Sequence, residues 1–140
     1  MSSMLLNKTP LLLSTAISLL LFNSCSEQTH PDKKIEKKLI GTWHKELKHG
    51  KQITRVVTKF REDHKFATYA HIGHSHKKLY ATGKWHVKYG NLVELIQKSN
   101  YVQAGTRTYD KILNINFKQF VYKTESGEVY SYYKSSKKSK

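Results

Sequence analysis

The chain has 140 residues, with 25 Lys or Arg against 10 Asp or Glu, a net charge of +15, one cysteine and two prolines. That length holds one small domain, and a single cysteine excludes any intramolecular disulfide, so the fold must be stable on packing alone. The charge does not specify a fold, but it sets a surface potential that favours anionic partners such as lipid headgroups, acidic polysaccharide or nucleic acid.

The first predicted element is an export signal. Lys8 precedes a mostly apolar run from Leu11 to Phe22, shorter than the roughly 20 apolar residues a spanning helix needs. A polar, Lys-rich segment begins at Ser26, so the run reads as a signal-peptide core that is removed. Its end, Leu21-Phe22-Asn23-Ser24-Cys25, resembles the lipobox of bacterial lipoproteins, with small Ser24 before the cysteine and with Phe22 and Asn23 departing from the usual residues. The resemblance implies that residues 1–24 are cleaved and that Cys25 is acylated, so that the mature chain is held on a membrane by its lipid. Cleavage removes Lys8 and no acid, leaving 24 basic against 10 acidic side chains, a net +14. Ser26 after the cysteine, where an aspartate would otherwise signal retention, fits sorting to the outer membrane in a Gram-negative host.

Residues 25–35 read as lipidated cysteine and polar tether, with Pro31 inside it and a short amphipathic turn around Ile35 to Leu39. A β domain is expected over 36–133, and residues 134–140, Lys-Ser-Ser-Lys-Lys-Ser-Lys, read as a basic disordered tail. Within the domain the period-two pattern is clearest at 79–89. Leu79, Ala81, Trp85, Val87 and Tyr89 share one face while Thr82, Lys84, His86 and Lys88 take the other, as in a half-buried strand. The same parity groups Phe66 with Ala70 and Ile72, Leu113 with Ile115 and Phe117, and Val56 with Phe60. Turn chemistry separates the runs at His49-Gly50, Glu62-Asp63, Gly73, Gly90-Asn91 and Ser126-Gly127. The expected fold is therefore all-β: an antiparallel up-and-down meander of about seven or eight strands, closed into a barrel or half-barrel so that no long edge is exposed. A small β-sandwich is the main rival.

Leu39-Ile40-Gly41-Thr42-Trp43 opens the domain and Ala81-Thr82-Gly83-Lys84-Trp85 echoes it in the middle. A Gly-x-Trp at the start of the first strand resembles the lipocalins and small lipocalin-like bacterial lipoproteins. That resemblance implies a barrel closed at its bottom by the Trp. Lipocalins proper also have a Thr-Asp-Tyr loop and a late arginine packed on the Trp; here the order is Thr108-Tyr109-Asp110, and no arginine follows Arg107.

The domain's acidic residues, Glu94 and Asp110 among them, are few and mostly sit at turns or beside lysines. No nucleophile elbow or phosphate-binding glycine loop appears and no thiol remains once Cys25 is acylated, so no enzymatic activity and no cofactor are expected. Three of the eight histidines fall in His71-Ile72-Gly73-His74-Ser75-His76. His74 and His76 share a face if extended, but His71 has the opposite parity. No Asp, Glu or Cys lies in the segment, and Lys77 and Lys78 adjoin it, which argues for a polar hairpin tip over a metal site. Two functions lead. One is a binding module that holds a small apolar or amphipathic molecule, with Trp43, Phe66, Trp85 and Tyr89 as lining or floor; the other is a non-catalytic basic lipoprotein contacting anionic lipid or polysaccharide of the envelope. Exposed tyrosines with basic charge also suit single-stranded nucleic acid, but an exported chain rarely meets it. An eight-stranded barrel is only just wide enough for one small ligand, so an open pocket and a side-chain-filled core both stand at this point.

Overall fold

The structure, a computed structural model, describes residues 30–136; the proposed signal, Cys25 and residues 137–140 lie outside them. A helix, α1 (Pro31–Leu39), leads into eight strands: β1 (Gly41–His49), β2 (Gln52–Phe60), β3 (Lys65–Ile72), β4 (Lys78–Lys88), β5 (Asn91–Ser99), β6 (Arg107–Ile115), β7 (Gln119–Lys123) and β8 (Val129–Lys134). Each pairs antiparallel with the next, and β8 returns to β1 through Trp43 opposite Lys134 and His44 opposite Tyr133. The antiparallel meander that the hairpin spacing predicts is here a closed barrel, and neither a half-barrel nor a sandwich.

Alternation fixes which side chains enter the interior. On β4, Ala81, Gly83, Trp85 and Val87 are buried while Tyr80, Lys84, His86 and Lys88 are exposed. Tyr89 does not join the inward face. It lies beyond the strand end, 81% exposed, with φ 52°, and forms the tight turn to β5 with Gly90 at φ 74°. Consecutive positive φ values are what primed hairpin turns require. The expected face Leu113–Ile115–Phe117 is also not formed: a register shift between Ile112 and Asn114 reverses parity within β6. Ile112 and Ile115 pack toward the core, whereas Leu113 is 49% and Phe117 73% exposed.

The second Gly-x-Trp has a backbone cause. At the register shift between Thr82 and Gly83, β5 lies so close that a Cβ on Gly83 would sit 1.9 Å from the Leu95 carbonyl oxygen, so only glycine fits. The first has another. Gly41, at φ 133°, turns the chain from helix into β1, a conformation that side chains resist.

Helix α1 begins at Pro31, upstream of the expected boundary at 36, and what was read as tether is part of the packed domain. Pro31 occupies the first turn, where its missing N–H matters least, and His30 caps the helix by accepting from the Asp32 amide. Nine residues are too few for a helix to be stable alone. Leu39 is fully buried, Ile35 packs on the core, Glu36 accepts from the Val87 amide at 2.9 Å, and Asp32 accepts from the Tyr89 and Gly90 amides at 2.8 and 2.9 Å. The two carboxylates thus tie the helix across the end of the β4–β5 hairpin, closing one end of the barrel. Among the described residues no helix is long and apolar enough to cross a membrane.

Candidate functional site

The barrel has two ends. At the closed end, Trp43 donates its indole N–H to the Leu39 carbonyl at 2.6 Å and meets Phe120 edge-on with centroids 4.9 Å apart. Phe60 bridges Trp85 at 5.1 Å and Phe120 at 6.5 Å. Trp85 in turn donates to the Arg61 carbonyl at 3.2 Å, so both indole nitrogens are satisfied in the floor. Lys134, expected in a disordered tail, is the last residue of β8. Its ammonium stands 4.9 Å from the Trp43 ring centroid and donates to the Lys38 carbonyl at 3.1 Å. A lysine therefore covers the floor tryptophan.

Toward the other end the interior opens into a cavity of about 540 Å³, lined by residues of β1 to β8 and of the β5–β6 loop. That is within the range of small-molecule sites. Its wall is largely apolar, from Val56, Phe60, Phe66, Ala70, Leu79, Ala81 and Ile96, and small side chains at Thr54, Thr68, Thr106 and Thr108 leave the space. A polar belt lies in its wall and base: Thr58 bonds Thr68 at 2.9 Å and Tyr132 at 3.1 Å.

Three ionisable groups enter the cavity: Lys45 on β1, Glu94 on β5 and Asp110 on β6. The Lys45 ammonium donates to the Tyr122 hydroxyl and stands 5.2, 4.7 and 4.8 Å from the ring centroids of Tyr122, Tyr130 and Tyr132. Desolvation lowers its pKa to about 8, against the pull of Asp110 and Glu94. Desolvation, reinforced by Asp110, raises Glu94 to about 7; desolvation raises Asp110 to about 6, with Lys45 opposing and Glu125 adding to the shift. Burial pushes the Tyr122 and Tyr132 hydroxyls far up, so both stay neutral donors.

Of the four residues expected as lining or floor, Phe66 lines the cavity. Trp43 and Trp85, at 0% and 1% exposure, form the packed floor beneath the cavity. Tyr89 sits outside the barrel at its closed end, where no cavity ligand reaches it. Sequence reasoning missed Lys45, Glu94 and Asp110. For Glu94 the signal was parity, since it is in phase with Leu92 and Ile96; Asp110 is in phase with Ile112 but out of phase with Ile115, so only the register shift in β6 explains why it points inward.

His71 and His74 border a surface groove with Lys51, Gln52 and Arg55, while His76 lies in the exposed β3–β4 loop. Among the described residues no three His, Cys, Asp or Glu are grouped to hold a metal ion.

Fold and site define a class: a small up-and-down β-barrel, plugged by aromatics at one end and hollow at the other. No protein-family model matches this chain, and no curated protein matches it.

Proposed function

We propose that the protein is an envelope-anchored lipoprotein whose lipocalin-like barrel binds a small apolar or amphipathic molecule without catalysing a reaction on it. The cavity carries this reading: a ligand-sized space with an apolar wall and a few convergent polar groups is the usual form of a small-molecule site. The lipocalin-like reading is supported by the Gly41-Thr42-Trp43 turn into β1, the helix across the closed end and the cation of Lys134 over Trp43. Anchoring rests on the apolar run before Ser24-Cys25.

A ligand selective for the folded state raises the melting temperature by mass action. Screening fatty acids, alcohols, alkylamines and lipid fragments should therefore produce a thermal shift, and Ala70→Trp, which projects an indole into the cavity, should abolish it. A screen with no shift would make the cavity an empty void. Anchoring has its own test: fatty-acid label should follow Cys25, and Cys25→Ser should leave an unlabelled precursor.

A second reading, contact with an anionic envelope surface, is favoured by α1. Lys33, Lys34 and Lys37 are exposed on the helix that follows the lipidated cysteine, and each basic side chain near an anionic surface contributes about 1 kcal/mol before screening. Binding to anionic vesicles should exceed binding to neutral ones, and the excess should vanish as salt rises.

A further inference from the structure

The chain has only 10 acidic side chains, and two of them stand inside its barrel. Glu94 faces Thr108 across the β5–β6 ladder, and Asp110 is two residues further along the same face, so the carboxylates are diagonal neighbours. Their hydrogen-bonding capacity is largely unused. Thr108 donates to Glu94 Oε2 at 3.4 Å, and no other donor among the described residues reaches either carboxylate. Yet among the described residues no side-chain oxygen is sealed away without a partner, so these oxygens face the cavity space. Lys45, the one cation lining the cavity, is engaged elsewhere, by the Tyr122 hydroxyl and the faces of three tyrosine rings.

Holding a carboxylate out of bulk water without a counter-ion is strongly unfavourable. With all three groups ionised the interior has a net single negative charge, opposite in sign to the rest of the protein. A fatty-acid head would add a third carboxylate to this site. An ammonium would balance it.

We propose that the cavity is a receptor for an amphipathic amine, whose ammonium sits between Glu94 and Asp110 and whose apolar body lies against Phe66, Ala70, Leu79 and Ile96. This rests on the cavity being a ligand site and specifies its chemistry. The amine donates charge-assisted hydrogen bonds to both carboxylates while the alkyl part displaces water from the apolar wall. Binding is then pH-dependent with a fixed sign. Desolvation holds Glu94 at about 7 and Asp110 at about 6, so both shed protons as pH rises to about 8 and amine affinity rises with them. The other groups facing the pair are Lys45, Glu125 and the hydroxyls of Tyr101, Tyr122 and Tyr132. Burial raises all three hydroxyls, which stay neutral, and loss of the Lys45 proton near 8 removes a like charge and acts in the same direction.

The test compares octylammonium, octan-1-ol and octanoate on the full chain by calorimetry. At about pH 8 octylammonium should bind at least about tenfold more tightly than octanol, the ratio expected of charge-assisted hydrogen bonds. Glu94→Gln with Asp110→Asn should erase that advantage, so that octylammonium no longer binds more tightly than octanol. The wild-type pH series needs no variant: octylammonium affinity should climb between about pH 5 and pH 8 while octanol stays level. Octanoate binding tighter than octylammonium, or equal binding of all three, would overturn the amine assignment and leave the cavity reading intact. Binding of none would overturn both.

Discussion

The two halves of the barrel are built by the same strands and differ in what those strands send inward. On β1 the inward residues are Trp43 at the floor and then Lys45 and Leu47 in the cavity; on β5 they are Leu92, Glu94 and Ile96. At the closed end Trp43, Phe60, Trp85 and Phe120 interlock edge to face and fill the cross-section. At the mouth, threonines and alanines leave the cross-section open and three ionisable groups enter it. Apolar burial in the floor holds the barrel closed, whereas the mouth half leaves an unpacked space with three ionisable groups in its wall. Packed core and open space are thus separated along the barrel axis by the size and polarity of inward residues, while the backbone alternation is the same in both halves.

The sharpest way to break this comparison is at the floor. Trp85→Ala should lower stability by about 3–5 kcal/mol, the usual range for truncating a buried aromatic, read by urea denaturation. A loss comparable to that of a surface substitution would mean that the floor does not hold the barrel.

The next effect belongs to the mouth and is read against pH. Glu94 and Asp110 have folded pKa values raised from 4.5 and 3.8 to about 7 and about 6, so between those limits the folded state binds more protons than the unfolded chain. Stability should therefore be greatest near pH 4 and fall as pH rises to about 7, by on the order of 2 kcal/mol after allowance for solvent in the open cavity. Lys45, lowered from 10.5 to about 8, has the opposite sign: the unfolded chain binds more protons in that window, so stability recovers as pH rises through it. Glu94→Gln should flatten the acid limb and stabilise the protein at neutral pH. A wild-type profile that is flat from pH 4 to 7 would place these carboxylates in solvent, and one that rises would mean that they are held ionised by a partner.

The smallest effect separates the outer turn from both halves. Tyr89→Asn keeps a residue suited to positive φ and removes an exposed ring, so stability should change by no more than about 0.5 kcal/mol and ligand affinity should not change. A lost thermal shift in this variant would return Tyr89 to the ligand site.

Much of the architecture was legible because its signals are local. The alternation from Leu79 to Val87 and the turns at Gly50, Gly73, Gly90 and Gly127 need no distant contact to be recognised. The errors fall where a local rule ran one step too far. Period two was extended past the end of β4 onto Tyr89, and through β6 across a bulge that no residue type announces. Pro31 read as tether because α1 is short and lysine-rich; Asp32 and Glu36 stabilise it by bonding to backbone amides far along the chain, out of reach of any local pattern. Glu94 is legible as an inward acid from its parity with Leu92 and Ile96, whereas the bulge in β6 hides the inward direction of Asp110.

The sequence by itself determined the strands, most of their turns and the inward parity of Trp43, Trp85, Phe66 and Glu94, because side-chain direction along a strand follows from the pleat. Only the tertiary structure decided that the meander closes, that Lys134 reaches Trp43, and that the upper interior stays open while the lower is filled. Those outcomes depend on how eight strands bring residues from distant positions to one level of the barrel. Parity says which side chains point inward; the volumes that meet at each level decide whether they leave a cavity.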